Sequence, residues 1–233
     1  MARRYLMIAS TLLSPAGLSG AQTVFDVSAQ RDLFTQSQIS DGSAFQEMSA
    51  SFVDLGLFDN TVMSAVNGPA GSGEGSAWQR SNIYAAPGSL GVTYQSSTLV
   101  ENMALDLGIG DLDSSARSAM RVEFTISESV QYEFEAVYTL LGSSYSGMYM
   151  FLEGDRYGPI IAIFGEFYES GSNMYSGKLE PDVYTLSVGV GHNIIGENDS
   201  RMDLSASLLV VPGPASVLGI TAGLFGVSRR RRF

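Results

Sequence analysis

One histidine, one lysine and no cysteine bound the chemistry that this 233-residue chain can do. His192 stands in Gly191-His192-Asn193 at an expected strand end, and no Gly-x-Ser-x-Gly elbow accompanies it. It therefore reads as a polar turn histidine rather than the base of a nucleophilic triad. A lone histidine and missing thiols exclude His-rich and thiolate zinc sites, thiol catalysis and disulfide exchange. Lys178 would carry any Schiff-base or phosphate-binding lysine chemistry alone, from a turn. Paired carboxylates remain, because a glycosidase needs two acids facing each other across a cleft, ~5 to 9.5 Å apart. Glu133 and Glu135 lie two apart on one strand face, as do Asp111 and Asp113 in a Gly-rich loop. That spacing recurs throughout an acidic β protein, so solvated charges are the expectation, with no catalytic residue.

Two loops offer the hard oxygen ligands that a structural calcium ion takes: Gly110-Asp111-Leu112-Asp113 and Gly196-Glu197-Asn198-Asp199. Neither follows the EF-hand pattern, and no other cofactor is expected. Tyr145, Tyr149, Tyr157, Tyr168 and Tyr175 gather in the Gly/Ser-rich stretch from Gly142 to Gly177, and Trp78 is the sole tryptophan. Exposed aromatics with polar neighbours would stack sugar rings, whereas tyrosines also pack well on half-buried sheets.

The elements that must position these residues are strands. Met120, Val122, Phe124 and Ile126 alternate with polar residues, which puts them on one face of a half-buried strand. Gln131 to Leu140 repeats the pattern, with Tyr132, Phe134, Ala136, Tyr138 and Leu140 on one face and Glu133 and Glu135 on the other. The short Ser127-Glu128-Ser129 link predicts an antiparallel hairpin between the two. Further strands are expected at Ser43 to Asp54, Thr61 to Val66, Trp78 to Tyr84, Gly147 to Leu152, Ile160 to Tyr168, Val183 to Val190 and Arg201 to Val210. Pro69 to Gly75 reads as a flexible loop and Ser114 to Arg117 as a short helical turn. Many short strands without alternating helices or a solenoid repeat predict an all-β fold, an antiparallel β-sandwich of jelly-roll or Greek-key type.

Leu179-Glu180-Pro181-Asp182-Val183-Tyr184-Thr185-Leu186 resembles the Leu-x-Pro-Gly-x-Tyr-x-Leu stretch of secreted bacterial β-sandwiches, with Asp182 in the glycine position. The resemblance implies a tyrosine whose hydroxyl bonds backbone at a corner between sheets.

Both ends read as processing segments. Arg3 and Arg4, the apolar Leu6 to Leu13 and the small residues Gly17 to Ala21 make a signal peptide over residues 1–21, cut by signal peptidase after Ala21. At the other end, Val211-Pro212-Gly213-Pro214-Ala215-Ser216 precedes the apolar run Val217 to Val227 and the basic block Arg229, Arg230, Arg231 and Arg232. This order resembles the PEP-CTERM sorting tail of exopolysaccharide-producing Gram-negative bacteria, with Gly213 where that family usually has Glu. The resemblance implies a transmembrane helix with cytoplasmic arginines, transient inner-membrane anchorage, cleavage by an exosortase, and delivery to the cell envelope or beyond. The apolar run is shorter than the ~20 residues of a spanning helix. Counted from Leu208 it approaches that length, so an ordinary C-terminal anchor is the alternative. Helix is expected mainly in these two tails. The division is thus signal peptide 1–21, β-sandwich ectodomain 22–211 and sorting tail 212–233.

Six of the 13 basic residues lie in the tails, leaving seven against all 24 acidic ones, a balance of −17 for the ectodomain. Such a surface repels nucleic acid and anionic lipid, whose binding depends on Lys and Arg. A domain of this length buries sufficient core without disulfides. The leading expectation is a non-catalytic exported surface or matrix protein. A carbohydrate-binding module for exopolysaccharide comes second and a glycan hydrolase third.

Overall fold

The computed structural model describes residues 24–39, 43–68, 71–86, 88–104, 112–142, 146–166, 170–195 and 198–212. Every regular element among them is a strand: β1 (Val24–Ile39), β2 (Phe45–Phe52), β3 (Gly56–Gly68), β4 (Gly71–Ala86), β5 (Ser89–Ala104), β6 (Leu112–Ile126), β7 (Val130–Gly142), β8 (Ser146–Gly154), β9 (Gly158–Glu166), β10 (Gly171–Leu179), β11 (Asp182–Ile195) and β12 (Asn198–Pro212). They form two six-stranded sheets, in the orders β2-β1-β6-β11-β8-β9 and β10-β7-β12-β5-β4-β3. All pairings are antiparallel. The expected all-β sandwich is what the chain builds. The helices expected in the tails lie outside the described residues.

Alternation explains why the sheets face each other. Val122, Phe124, Leu186 and Val188 of the first sheet and Tyr94, Phe134, Leu204 and Leu208 of the second belong to one buried apolar cluster. Phe124 stacks on Tyr184 with centroids 5.8 Å apart. Tyr184 is fully buried, and its hydroxyl donates to the Glu180 carbonyl at 2.8 Å where the chain passes from β10 to β11, between sheets. The corner tyrosine expected from the sequence is therefore in place. Burial, with Asp182 adding its charge, pushes its hydroxyl pKa up to about 12.

The expected hairpin from Met120–Ile126 to Gln131–Leu140 does not form. β6 pairs with β1 and β11, β7 pairs with β10 and β12, and residues 127–129 carry the chain from one sheet to the other. Both strands turn their apolar faces to the core as read, with Val122, Phe124 and Phe134 buried. A three-residue link serves a corner as well as a hairpin, and period-2 patterning specifies a face, not a partner.

Ser114 to Arg117 is not a helical turn but the first half of β6, with Ser114 and Ala116 pointing inward. Nor is Gly71 to Gly75 a loop, because it opens β4. The two corrections share a cause. A Cβ at Gly73 would meet the Ser114 hydroxyl at 2.7 Å, and one at Gly75 would meet the Ser115 carbonyl oxygen at 2.8 Å. The sheets approach too closely here for larger side chains, and a strand glycine marks such an approach.

β1, β5 and β10 have no counterpart among the expected strands. In β1 and β5 the inward positions break the apolar alternation with Arg31, Thr35, Ser37, Ser96, Thr98 and Asn102, all buried. Arg31, Ser37 and Asn102 find partners across the sandwich, whereas Thr35 Oγ1 is buried with none among the described residues. Arg31 Nε donates to Ser81 Oγ (2.8 Å), Gln79 Nε2 to the same oxygen (3.2 Å), Ser118 Oγ to Gln79 Oε1 (3.2 Å), and Ser118 and Tyr94 share a bond of 2.8 Å. The Arg31 guanidinium also donates to the carbonyls of Asp54 and Gly56, tying down the crossing from β2 to β3, and lies 5.4 Å over the Phe58 ring. Burial lowers the Arg31 pKa, while the charge of Asp54 opposes the shift. Buried polar groups are tolerated when satisfied in this way.

Candidate functional site

The residues singled out for chemistry are scattered. His192 is not a turn residue: it lies inside β11, 4% exposed, with Nδ1 3.3 Å from Ser200 Oγ on β12. Desolvation lowers its pKa to about 4, so it is neutral in the folded protein at neutral pH. Lys178 is on strand β10 rather than in a turn, with Nζ 2.8 Å from Glu180 Oε1. That contact, followed by a bond from Ser129, lowers the Glu180 pKa. Glu133 and Glu135 are exposed on the outer face of β7, as read. Asp113 belongs to β6 rather than a loop and accepts from Gln38 Nε2 at 3.0 Å. Asp199 is on β12, while Gly110, Asp111, Gly196 and Glu197 lie outside the described residues. Among the described residues, no three His, Asp or Glu side chains gather as a cation site. Val211 and Pro212 end β12, whereas Gly213 to Ser216 and Arg229 to Arg232 fall outside the described residues.

The tyrosines do not share one surface. Tyr149 lies on β8 in the first sheet, Tyr175 on β10 in the second and Tyr157 in the turn after β8. Tyr145 and Tyr168 are outside the described residues.

What the fold does assemble is the outer face of the second sheet. Register sets Trp78 on β4, Ser97 on β5, Asp203 on β12 and Thr139 on β7 in one cross-strand row, with Arg80, Gln95, Ser205 and Val137 in the next. All point away from the core because their neighbours Ala77, Gln79, Ser96, Thr98, Leu204 and Ala206 point into it. A depression of about 370 Å³ lies over these rows. The half-buried indole is not free to swing, since Nε1 donates to Asp59 Oδ1 on β3 at 2.9 Å and Arg80 Nε sits 3.9 Å from Oδ2 of the same carboxylate. Arg201 Nε donates to Asp203 Oδ1 at 3.0 Å. Farther along the face, a depression of about 500 Å³ is lined by Asn67, Ser72, Glu74, Glu101, Met103 and Asp199, among others. Glu74, Glu101 and Asp199 are register partners on adjacent strands and so sit side by side on one sheet face.

A fixed aromatic flanked by hydroxyl, amide and carboxylate groups suits an uncharged, polyhydroxylated ligand: the ring takes a flat apolar face and the polar groups orient it. The sole tryptophan was the only sequence signal for this site. Its partners come from strands distant in sequence, and register alone aligns them.

No protein-family model matches the chain, and no curated protein matches it. Among solved structures, the N-terminal cellulose-binding domain of Cellulomonas fimi β-1,4-glucanase C aligns at 9% identity over 65% of this chain and 90% of that domain, with a TM-score of 0.23. A GH31 α-xylosidase from Xanthomonas citri aligns at 7% identity over 67% of this chain and 28% of its own, with a TM-score of 0.17. At these scores neither likeness bears on function.

Proposed function

We propose that the chain is a non-catalytic protein exported on its N-terminal leader, sorted by exosortase through its C-terminal tail, and used at the cell surface or in the extracellular matrix to hold polysaccharide. The observation that carries the binding part is the Trp78 indole, fixed by Asp59 beside Ser97, Gln95 and Asp203 on the outer face of the second sheet. A ring held in place loses little freedom on binding, which favours affinity. The −17 balance selects against anionic partners and leaves uncharged glycans. The sorting part is supported by the Val211 to Ser216 motif, the apolar run and the four terminal arginines.

The test uses the full chain against a panel of soluble polysaccharides. Trp78 is the only tryptophan, so its emission reports the site directly. Binding should shift that emission, and Trp78→Ala, which lacks the fluorophore and is read by pull-down, should weaken affinity roughly tenfold or more, the size expected of an aromatic anchor. Unchanged affinity in Trp78→Ala would refute this placement of the site.

A further inference from the structure

We infer that the outer face of the first sheet is a second binding face, for an uncharged polysaccharide chain, so that one molecule grips two chains on opposite sides of the sandwich. The face is built on β8 and β9. Met148, Met150 and Leu152 fill the core, which turns Tyr149 and Phe151 outward. Phe164 on β9 is the register partner of Tyr149 and is 69% exposed. The three rings form one surface. Tyr149 and Phe151 have centroids 6.1 Å apart with planes at 29°, and Phe151 and Phe164 have centroids 5.7 Å apart at 25°.

The rings of each neighbouring pair lie nearly parallel. A neighbouring glycine makes room for that geometry. A Cβ at Gly189 on β11 would meet the Tyr149 ring at 2.5 Å, so only glycine lets the ring lie down on the sheet. Exposed aromatic rings are what the C–H face of a pyranose packs against, through burial and dispersion, and Phe164 is the most exposed of the three.

Charge selects the occupant. On β6 and β1, across β11 from the rings, Arg121 lies 3.8 Å from Glu123 and Gln30 donates to Asp32 at 3.1 Å, so the polar groups on the rest of this outer face engage one another. With seven basic residues against 24 acidic ones, the ectodomain repels nucleic acid, phosphate-rich surfaces and uronate polymers. A second copy of the chain would bring the same negative charge against it. An uncharged glycan meets none of this repulsion.

Facing sheets are about 10 Å apart, so two glycan chains held on the two outer faces are cross-linked by one molecule. The cross-linking rests on the groove around Trp78, while binding at the Tyr149 face does not. The experiment mixes the full chain with hydroxyethylcellulose, laminarin and galactomannan, reading light scattering across a protein titration together with a pull-down. Thermal melts of each variant check folding, and two exposed-face variants, Phe164→Ala and Tyr149→Ala, keep the test independent of either one misfolding. For at least one polysaccharide, scattering should rise and then fall at protein excess. Phe164→Ala and Tyr149→Ala should each cut the scattering about tenfold while the pull-down through the Trp78 face persists. Scattering unchanged in both variants would overturn the inference and leave the Trp78 reading intact. Loss of all binding in these variants, with none lost in Trp78→Ala, would overturn the Trp78 reading and the cross-linking. Absence of binding to every polysaccharide would overturn both faces.

Discussion

Acid should destabilise this protein through His192, and the size of the effect follows from its burial. The unfolded imidazole takes up its proton near the ordinary value of about 6.5, but in the fold, 4% exposed between the sheets, it does so only at about 4. Between those values the unfolded chain binds more protons, so stability present at neutral pH is lost as pH falls through this window. Integrating the difference in protonation gives a loss of about 2 kcal/mol by pH 5 and about 3 kcal/mol by pH 4. Carboxylates contribute their own pH dependence, so the measurement is a difference between wild type and His192→Leu. Urea unfolding at pH 7, 5 and 4 should show the variant with a flatter profile by those amounts. Its stability at neutral pH should change separately, from altered packing and from the contact to Ser200 Oγ at 3.3 Å. Equal pH slopes in the two proteins would refute the reasoning, because a histidine that costs nothing to protonate cannot be shielded in the core.

Three further outcomes are expected. Phe124→Ala, at a fully buried side chain stacked on Tyr184, should cost ~3 to 5 kcal/mol in urea unfolding, and a loss under ~1 kcal/mol would contradict its place in the core. Tyr184→Phe removes the bond to the Glu180 carbonyl and should cost about 0.5 to 1.5 kcal/mol; a stability equal to wild type would mean that the corner bond contributes nothing. Mass spectrometry of the mature protein from its native host should find a product lacking Arg229 to Arg232, and an intact Phe233 on most molecules would sink exosortase processing.

Residue order alone marked nine of the twelve strands, all but β1, β5 and β10, and gave the inward faces of β6 and β7. Met120, Val122, Phe124 and Ile126 needed no structure to be assigned to the core, because period-2 alternation is a local property of the chain. The same holds for Tyr184, whose Pro-x-x-Tyr context announces a corner, and for the acidic balance of the chain. Pairing is different. The alternating face of β6 fits β1, β7 or β11 equally well, and only competition among all twelve strands for each edge sends β6 and β7 to opposite sheets. Wherever function or close approach replaced apolar residues with polar or small ones, local pattern failed. Arg31 and Ser37 hid β1, Gly71 to Gly75 mimicked a loop, and His192 passed for a turn residue, because satisfaction of each depends on a partner across the sandwich. The two proposed binding faces lie beyond sequence for the same reason. Trp78 meets Asp59, Ser97 and Asp203, and Phe164 meets Phe151, through strand register, a relation between distant segments that no local spacing encodes.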